Sequence, residues 1–144
     1  MNKSLEFVRK FSLAYTAACR PLCQELKLPQ TAFDILMFLA NNPGYQTAGD
    51  IVEIRRIKAN LVSVNVDKLV REGYLRREAV AGDRRKTRLA CTENAERVAE
   101  RGRAVQEAFF ARLFEHTDEA MRAAFFDTLA VMDANLNTLW KEDA

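Results

Sequence analysis

Apolar residues recur every three or four positions through most of this chain, which is the spacing that lines one face of a helix. The pattern stops at turn and cap signals, namely Asn41-Asn42-Pro43-Gly44, Gly73 and His116-Thr117-Asp118. It predicts helices over residues 4–27, 29–41, 47–55 and 58–72, a fifth from Thr92 to the signal at 116–118, and a sixth beyond it. Pro21 lies inside the first helix and is expected to kink or restart it.

Between the fourth and fifth helices the pattern changes to that of a hairpin. Residues 74–80 and 87–91 are predicted as its strands, and residues 81–86 as its turn. The fold class is therefore mainly α with a small β-hairpin. Residues 28–92 form a winged helix-turn-helix core, and residues 1–27 and 93–144 form helical arms. At 144 residues the whole chain is interpreted as one domain.

The net charge of +2 is unevenly distributed along the chain. Residues 55–89 contain 11 of the 22 Lys and Arg residues and only four acidic residues, so this segment has a net charge of +7. Residues 1–54 are neutral, and residues 90–144 carry a net charge of −5. A basic segment of this kind is typical of a surface that binds nucleic acid.

Composition argues against several classes of protein. With 49% apolar residues the chain can bury a core, so wholesale disorder is not expected. No run approaches the roughly 18 apolar residues of a membrane helix, and the charged N-terminal segment is unlike a secretory signal. We therefore expect a cytoplasmic protein with no membrane partner. It has no phosphate-binding loop and no Ser/His/Asp set, so it is not expected to be an enzyme.

The third and fourth predicted helices form a helix-turn-helix, whose second helix fits the major groove of DNA. The outward side of that helix carries Asn60, which can pair with an adenine edge, and Ser63, which can serve several bases. Val64 can touch a thymine methyl group, and Lys58 and Lys68 suit phosphate contacts. The alternative is an ordinary solvated face with no ligand.

The predicted hairpin turn places three cations, Arg84, Arg85 and Lys86, beside Asp83. A narrow minor groove attracts inserted Arg side chains through its enhanced negative potential. The alternative is that these charges only keep the edge of the hairpin soluble. Together with the polar face of the fourth helix, they predict double-stranded DNA as the partner.

Three cysteines, Cys19, Cys23 and Cys91, and one histidine, His116, are present. An odd number of cysteines with no CxxC pair argues against a disulfide framework and a zinc site, so no metal or other cofactor is expected. Cys19 and Cys23 are four residues apart and share a helix face near Pro21. We interpret them as small buried apolar residues, with a redox switch as the alternative.

Residues 26–97 resemble the MarR type of winged helix-turn-helix transcriptional regulator. The resemblance rests on Leu28-Pro29-Gln30, on NLVSVNVDKLVREGYL at 60–75 and on GDRRKTRLACTE at 82–93. The spacing of Asp83, Arg85, Leu89 and Thr92 in the wing is its most specific part.

The resemblance implies a triangular homodimer built from the first, fifth and sixth helices. It also implies that Arg85 enters the minor groove, that Asp83 restrains the wing, and that an effector pocket lies between the arms and the DNA-binding head. By the same analogy the effector is a small apolar or aromatic molecule and the protein is a repressor. The chain departs from the family on its fourth helix, where Ala59, Leu61 and Val64 occupy positions that are commonly polar or basic.

The distribution of aromatic residues also favours a homodimer. Five of the 13 aromatic residues lie in residues 1–40 and six in residues 109–140. A winged domain of about 60 residues gives two long terminal helices little to pack against, whereas a second copy provides a matching surface. Two heads about 34–36 Å apart would read a pseudo-palindromic operator. The rival interpretation is a winged-helix module that binds a protein and not DNA.

Overall fold

The computed structural model describes residues 2–142, so Met1, Asp143 and Ala144 of the predicted arms lie outside the described residues. The elements, in chain order, are α1 (Lys3–Leu26), α2 (Gln30–Asn41), α3 (Ala48–Arg55), α4 (Ala59–Arg71), β1 (Leu75–Val80), β2 (Asp83–Cys91), α5 (Glu93–Leu113) and α6 (Glu119–Glu142). The predicted fold class and element order are confirmed. The chain divides into two compact units, residues 1–107 and 108–144.

The core of the first unit is built around α2. Seven of its twelve residues are buried, and Phe33, Ile35 and Leu36 have no exposed surface. Its apolar residues occupy most of the helix circumference, which is typical of a helix that is covered on several sides. The same core contains Ile51 of α3 and Leu69 of α4, so it holds the helix-turn-helix in place.

The first part of α5 is fixed to α1 and α2. Gly102 lies against Phe33 and Met37 so closely that a Cβ atom there would be 3.1 Å from Phe33 Cζ. Gln106 Nε2 donates a 2.9 Å hydrogen bond to the hydroxyl of Tyr15 on α1. Burial raises the pKa of Tyr15 to about 12. The hydroxyl therefore remains a neutral partner for Gln106.

The structure excludes a restart of α1 at Pro21 and shows how little of α3 is buried. The helix α1 continues through Pro21 and is not restarted there; it ends where Lys27 takes a left-handed conformation, with φ 55°. In α3, the apolar residues Ala48 and Ile54 are exposed, and Ile51 is the only buried residue of the helix. A helix of eight residues can bury little more than one turn of a narrow stripe, so its apolar periodicity is a weak guide.

The predicted hairpin turn over residues 81–86 is wrong. The strands β1 and β2 are antiparallel and Val80 pairs with Asp83, so the turn is only Ala81-Gly82. Gly82 has φ 83°, a conformation that glycine adopts without strain. Arg84, Arg85 and Lys86 therefore lie on β2 just after the turn. Both faces of this two-stranded hairpin are solvated near its tip, so the charged residues there do not show the alternation that marks a half-buried strand.

The second unit contains the end of α5 and all of α6. Asp118 caps α6, because its Oδ1 accepts a 2.8 Å hydrogen bond from the backbone N–H of Met121. Phe114 packs against Phe125 and Phe126, with ring centroids 5.4 and 5.5 Å apart. Even so, no residue from 108 to 141 is buried, and the apolar residues of α6 leave much of their surface exposed.

Candidate nucleic-acid interface

The position of α4 follows from its two ends and its inner side. Arg56, with φ 55°, ends α3 and turns the chain toward α4, whose N-cap residue is Lys58. Val62, Val66 and Leu69 are buried on the inner side, at the helical spacing predicted from the sequence. The rest of the circumference is held outward by this stripe.

The outward side of α4 presents the predicted base-reading residues together. Asn60, Ser63 and Val64 are exposed, as is Lys58 at the helix start. Within residues 2–142, the side chains of Asn60 and Ser63 have no hydrogen-bond partner, so their donors and acceptors are available to a ligand. Leu61, 45% exposed, belongs to the same surface; its apolar character had suggested only a departure from the family pattern.

Two polar contacts fix α4, and neither was predicted from the sequence. Asn65 is buried, and its Nδ2 donates a 2.8 Å hydrogen bond to the carbonyl oxygen of Leu61 one turn earlier. Asp67 forms an ion pair with Arg77 of β1. The second contact joins α4 to the base of the hairpin.

The cations of the hairpin form two groups, one at its base and one near its tip, which differ in their ion pairs. At the base, Glu78 lies between Arg88, at 2.7 Å, and Arg76, at 3.5 Å. The hydrogen bond from Arg88 holds the pKa of Glu78 below its usual range, with a smaller contribution from Arg76. Arg77 is paired with Asp67. Each of the three arginines at the base of the hairpin therefore has a carboxylate partner.

The cations near the tip are different. Arg84, Arg85 and Lys86 are exposed, and none forms an ion pair with the part of the chain that the structure describes. Asp83 is half-buried, and its Oδ1 accepts a 2.9 Å hydrogen bond from the backbone N–H of Arg85. This bond fixes the backbone that carries the three cations.

A cleft of about 310 Å³ joins the helix-turn-helix to the hairpin. Ser63 of α4, Arg77 of β1 and Thr87 of β2 all line it. The strand β2 is also tied to the loop before α3, because the backbone N–H of Leu89 donates a 2.7 Å hydrogen bond to the Gln46 carbonyl oxygen. The helix and hairpin parts of the candidate site are thus brought together.

Lys68 is placed differently from the other predicted contacts. It is half-buried and forms a 2.8 Å ion pair with Glu72. It also lines a second cleft, of about 480 Å³, together with Arg20 and Lys27 at the end of α1. Of the cations proposed for phosphate contact, Lys68 is therefore the one already engaged within the protein.

A model of the MarR family matches residues 26–86, from the end of α1 to the cations of the wing. Over these 61 of its 144 residues, the chain is similar to the MarR-type winged helix-turn-helix. The resemblance predicted from the sequence is thereby confirmed over these residues, and the hairpin is called the wing from here on.

Solved structures share the MarR-type fold over nearly the whole chain. A MarR protein from Peptoclostridium difficile is 20% identical with a TM-score of 0.86, and the match covers 99% of this chain and 93% of that one. A MarR-family regulator from Listeria monocytogenes, complexed with 26mer DNA, is 19% identical with a TM-score of 0.85, over 97% and 93% of the two chains. MepR of S. aureus in its DNA complex is 17% identical with a TM-score of 0.76, over 94% and 99%. No curated protein matches the sequence.

The two cysteines of α1 lie inside the core of the first unit. Cys19 has no exposed surface and Cys23 is 8% exposed, in agreement with their interpretation as small apolar residues. Burial raises the pKa of Cys23 to about 11, and the nearby Cys19 and Asp34 add to this effect. Its Sγ lies 3.8 Å from Gln30 Oε1, to which the thiol donates a hydrogen bond.

Within residues 2–142, no group of three or more His, Cys, Asp or Glu side chains is arranged to hold a metal ion. None of the helices described is both long and apolar enough to span a membrane.

Proposed function

We propose that the chain binds double-stranded DNA as a homodimer and represses transcription from a pseudo-palindromic operator, which would place it in the cytoplasm. In this proposal α4 enters the major groove and the wing reaches the adjacent minor groove. Asn60, Ser63 and Val64 meet base edges, Lys58 contacts phosphate, and Arg84, Arg85 and Lys86 lie along the minor groove. Asp83 supports the wing through its hydrogen bond to the Arg85 backbone.

The observation that carries this proposal is the division of charge along the wing. The cations at the base of the hairpin are already paired with acidic neighbours within the protein. Near the tip, Arg84 and Arg85 have no carboxylate partner among the described residues, and Lys86 forms no ion pair there but lies near enough to Asp50 to lower the pKa of that carboxyl. Such an arrangement suits an anionic partner that arrives from outside. The DNA complexes of the Listeria regulator and of MepR agree with this proposal.

The test is a series of DNA-binding measurements at increasing salt. Each lost phosphate contact should reduce the slope of log affinity against log salt by about 0.9. We expect the double variant Arg84→Ala/Arg85→Ala to show a shallower slope and an affinity at least about tenfold weaker, because each Arg contact to DNA contributes about 1–3 kcal/mol.

Arg76→Ala is the matched control, since Arg76 is on the same wing and 60% exposed but is paired with Glu78. It should bind DNA nearly as well as the wild type. Equal losses in both variants would mean that the tip has no special role. Salt-independent binding, or no binding to any DNA, would favour the rival protein-interaction module.

The homodimer is proposed from the exposed apolar surfaces of the terminal helices. On α1, Leu5, Phe7, Val8 and Leu13 are each at least 50% exposed. On α6, nine large apolar side chains are each at least 36% exposed. Contiguous apolar surface of this extent marks an interaction site, and a second copy offers identical surfaces under two-fold symmetry.

We also propose an effector site in the cleft lined by Arg20, Lys27 and Lys68. Its wall includes Cys23 and Leu28, so it offers apolar contact beside cations. The expected small aromatic or apolar effector would fit best if it also carried an anionic group. Benzoate should then raise the melting temperature more than benzamide, which has nearly the same shape without the charge. If both compounds raised the melting temperature of the protein equally, the cations of the cleft would have no role in binding the effector.

We do not propose the redox switch that the spacing of Cys19 and Cys23 allowed. Oxidation of cysteine proceeds through the thiolate, and a pKa of about 11 leaves Cys23 almost wholly protonated near neutral pH. Cys19 has no exposed surface for an oxidant to reach. Both observations favour a packing role.

A further inference from the structure

The outward side of α4 is more apolar than the charge of the surrounding segment suggests. Val64 is 65% exposed and Leu61 is 45% exposed, whereas Val62, Val66 and Leu69 of the same helix are buried. Single exposed apolar side chains are common on protein surfaces. The position of this pair, within the first two turns of α4, is what gives it significance.

In a helix-turn-helix, residues at the start of the second helix contact base edges. Leu61 and Val64 are three residues apart, so they are neighbours on the helix surface. Asn60 and Ser63, whose side chains have no hydrogen-bond partner within residues 2–142, flank them. Lys58 precedes them and Arg71 follows on the last turn, and the described side chains provide an ion-pair partner for neither cation. An apolar pair is therefore set inside a polar and cationic frame that suits DNA.

Neither Leu61 nor Val64 can donate or accept a hydrogen bond, so their contribution to base reading must come from apolar contact. In the major groove, the C5-methyl group of thymine is the apolar group that base edges present. Val is branched at Cβ and has few rotamers, so it offers a fixed surface to such a group. Asn60 beside them suits the adenine edge.

We infer that Leu61 and Val64 determine operator specificity by packing against thymine methyl groups. The inference rests on the proposed function, because it requires α4 to lie in the major groove. It goes further in assigning the class of base recognised, A·T pairs whose thymine faces this apolar pair. It also gives Leu61 a role in place of a polar side chain.

The experiment begins with duplexes enriched from a random pool by the full-length protein. Each thymine of an enriched duplex is then replaced by uracil, which removes the methyl group and leaves the pairing and the groove acceptors unchanged. We expect affinity to fall about fourfold for each contacted position, the effect of losing one buried methyl-sized group. Positions that α4 does not contact should show no change.

Variants then connect the effect to the two side chains. Val64→Thr keeps the shape of the side chain but replaces a methyl group by a hydroxyl, and it should reduce the thymine preference at one position. Leu61→Ala should do so at another. Ile54→Ala is the control, because Ile54 is an exposed aliphatic residue, 46% exposed, on α3 of the same head. It should leave the ratio of thymine to uracil affinity unchanged.

The outcomes separate this inference from the function on which it rests. Equal affinity for thymine and uracil duplexes, with specific and salt-dependent binding retained, would overturn the inference and leave the proposed function intact. A thymine preference that survives both Leu61→Ala and Val64→Thr would also overturn it. Absence of salt-dependent binding to any DNA would overturn the proposed function, and the inference with it.

Discussion

The two compact units of this chain differ in how far they bury their apolar residues. The head, residues 2–107, contains a core of 20 buried apolar residues, whereas no residue from 108 to 141 is buried. Burying a Leu, Phe or Met side chain stabilises a fold by about 1.5–3 kcal/mol. The head therefore obtains this free energy from its own chain, while α6 leaves much of it ungained.

The two units also differ in what determines their structure. In the head, local patterns and long-range contacts agree, since the inner stripe of α4 packs on the same core as α2. In α6 the apolar pattern is as regular, but the described residues offer it no complete partner surface. We infer that contacts within one chain are enough to stabilise the head. The second unit, in contrast, requires contacts with another copy of the chain.

The largest effect should come from a charge on the apolar surface of α6. Leu136→Glu replaces a side chain that is 56% exposed in a single chain and, in our proposal, covered in the dimer. Transferring an unpaired carboxylate into an apolar interface costs several kcal/mol. We expect a monomer at micromolar concentration by sedimentation, and about a hundredfold loss of operator affinity because two linked heads no longer bind together.

Thr138→Glu is the matched control, since two residues along a helix lie about 200° apart. Thr138 is exposed on the same helix but away from the apolar stripe. This variant should remain dimeric and bind the operator normally. If both variants dissociate, charge alone explains the result; if neither does, the contrast between the two units has a cause other than assembly.

Much of the head could be predicted because its signals are local. The inner stripe of α4 and the exposure of Asn60, Ser63 and Val64 follow from helical spacing alone. The pair Lys68–Glu72 could also have been found, since residues four apart on a helix are neighbours. It would have indicated that Lys68 is less available to phosphate than Lys58.

Other features depend on tertiary structure and had no local signal. The ion pair between Asp67 and Arg77 needs the chain to reverse direction after α4. The two-residue turn of the wing was hidden because solvent reaches both faces of its strands, so charged residues there resembled a loop. The burial of Asn65 could not be distinguished from exposure, since asparagine is commonly found on surfaces.

A smaller effect, on stability, is expected from a substitution in the core of the head, at Gly102. A Cβ atom there would overlap Sδ of Met37, a residue only 4% exposed. Overpacking of this kind costs about 1–3 kcal/mol, and the gain in helix propensity from Gly to Ala offsets about 1 kcal/mol of it. We expect Gly102→Ala to lower the free energy of unfolding, as measured by urea denaturation.

Gly49→Ala is the control for helix propensity, because a Cβ atom there would meet only Thr47 Oγ1, at 3.7 Å. It should leave stability unchanged or raise it. Adding Met37→Ala to Gly102→Ala should cost less than the sum of the two single changes, since the new methyl group then has space. Strict additivity would show that Met37 is not the limiting contact.

The smallest effect on stability is expected at the start of α3, a helix with only one buried residue. Thr47 Oγ1 accepts a 3.1 Å hydrogen bond from the backbone N–H of Asp50, and Asp50 Oδ2 accepts one of 2.9 Å from the backbone N–H of Gln46. A carboxylate oxygen of Asp50 also accepts from the backbone N–H of Thr47, which completes a capping box. We expect Thr47→Ala to lower the free energy of unfolding by about 1 kcal/mol.

The two halves of this cap should respond differently to pH. The hydrogen bond from Gln46 is the main cause that lowers the pKa of Asp50 from its ordinary value of 3.8. Because the folded-state pKa is the lower one, the stabilisation is present above about pH 4 and is lost as the pH falls through the folded value. Denaturation at pH 7 and pH 3 should show the cost of Asp50→Ala shrinking at the lower pH. The cost of Thr47→Ala should shrink less, because the hydroxyl itself does not titrate. A cost of Asp50→Ala that is equal at both pH values would show that the ionised carboxylate contributes nothing to the cap.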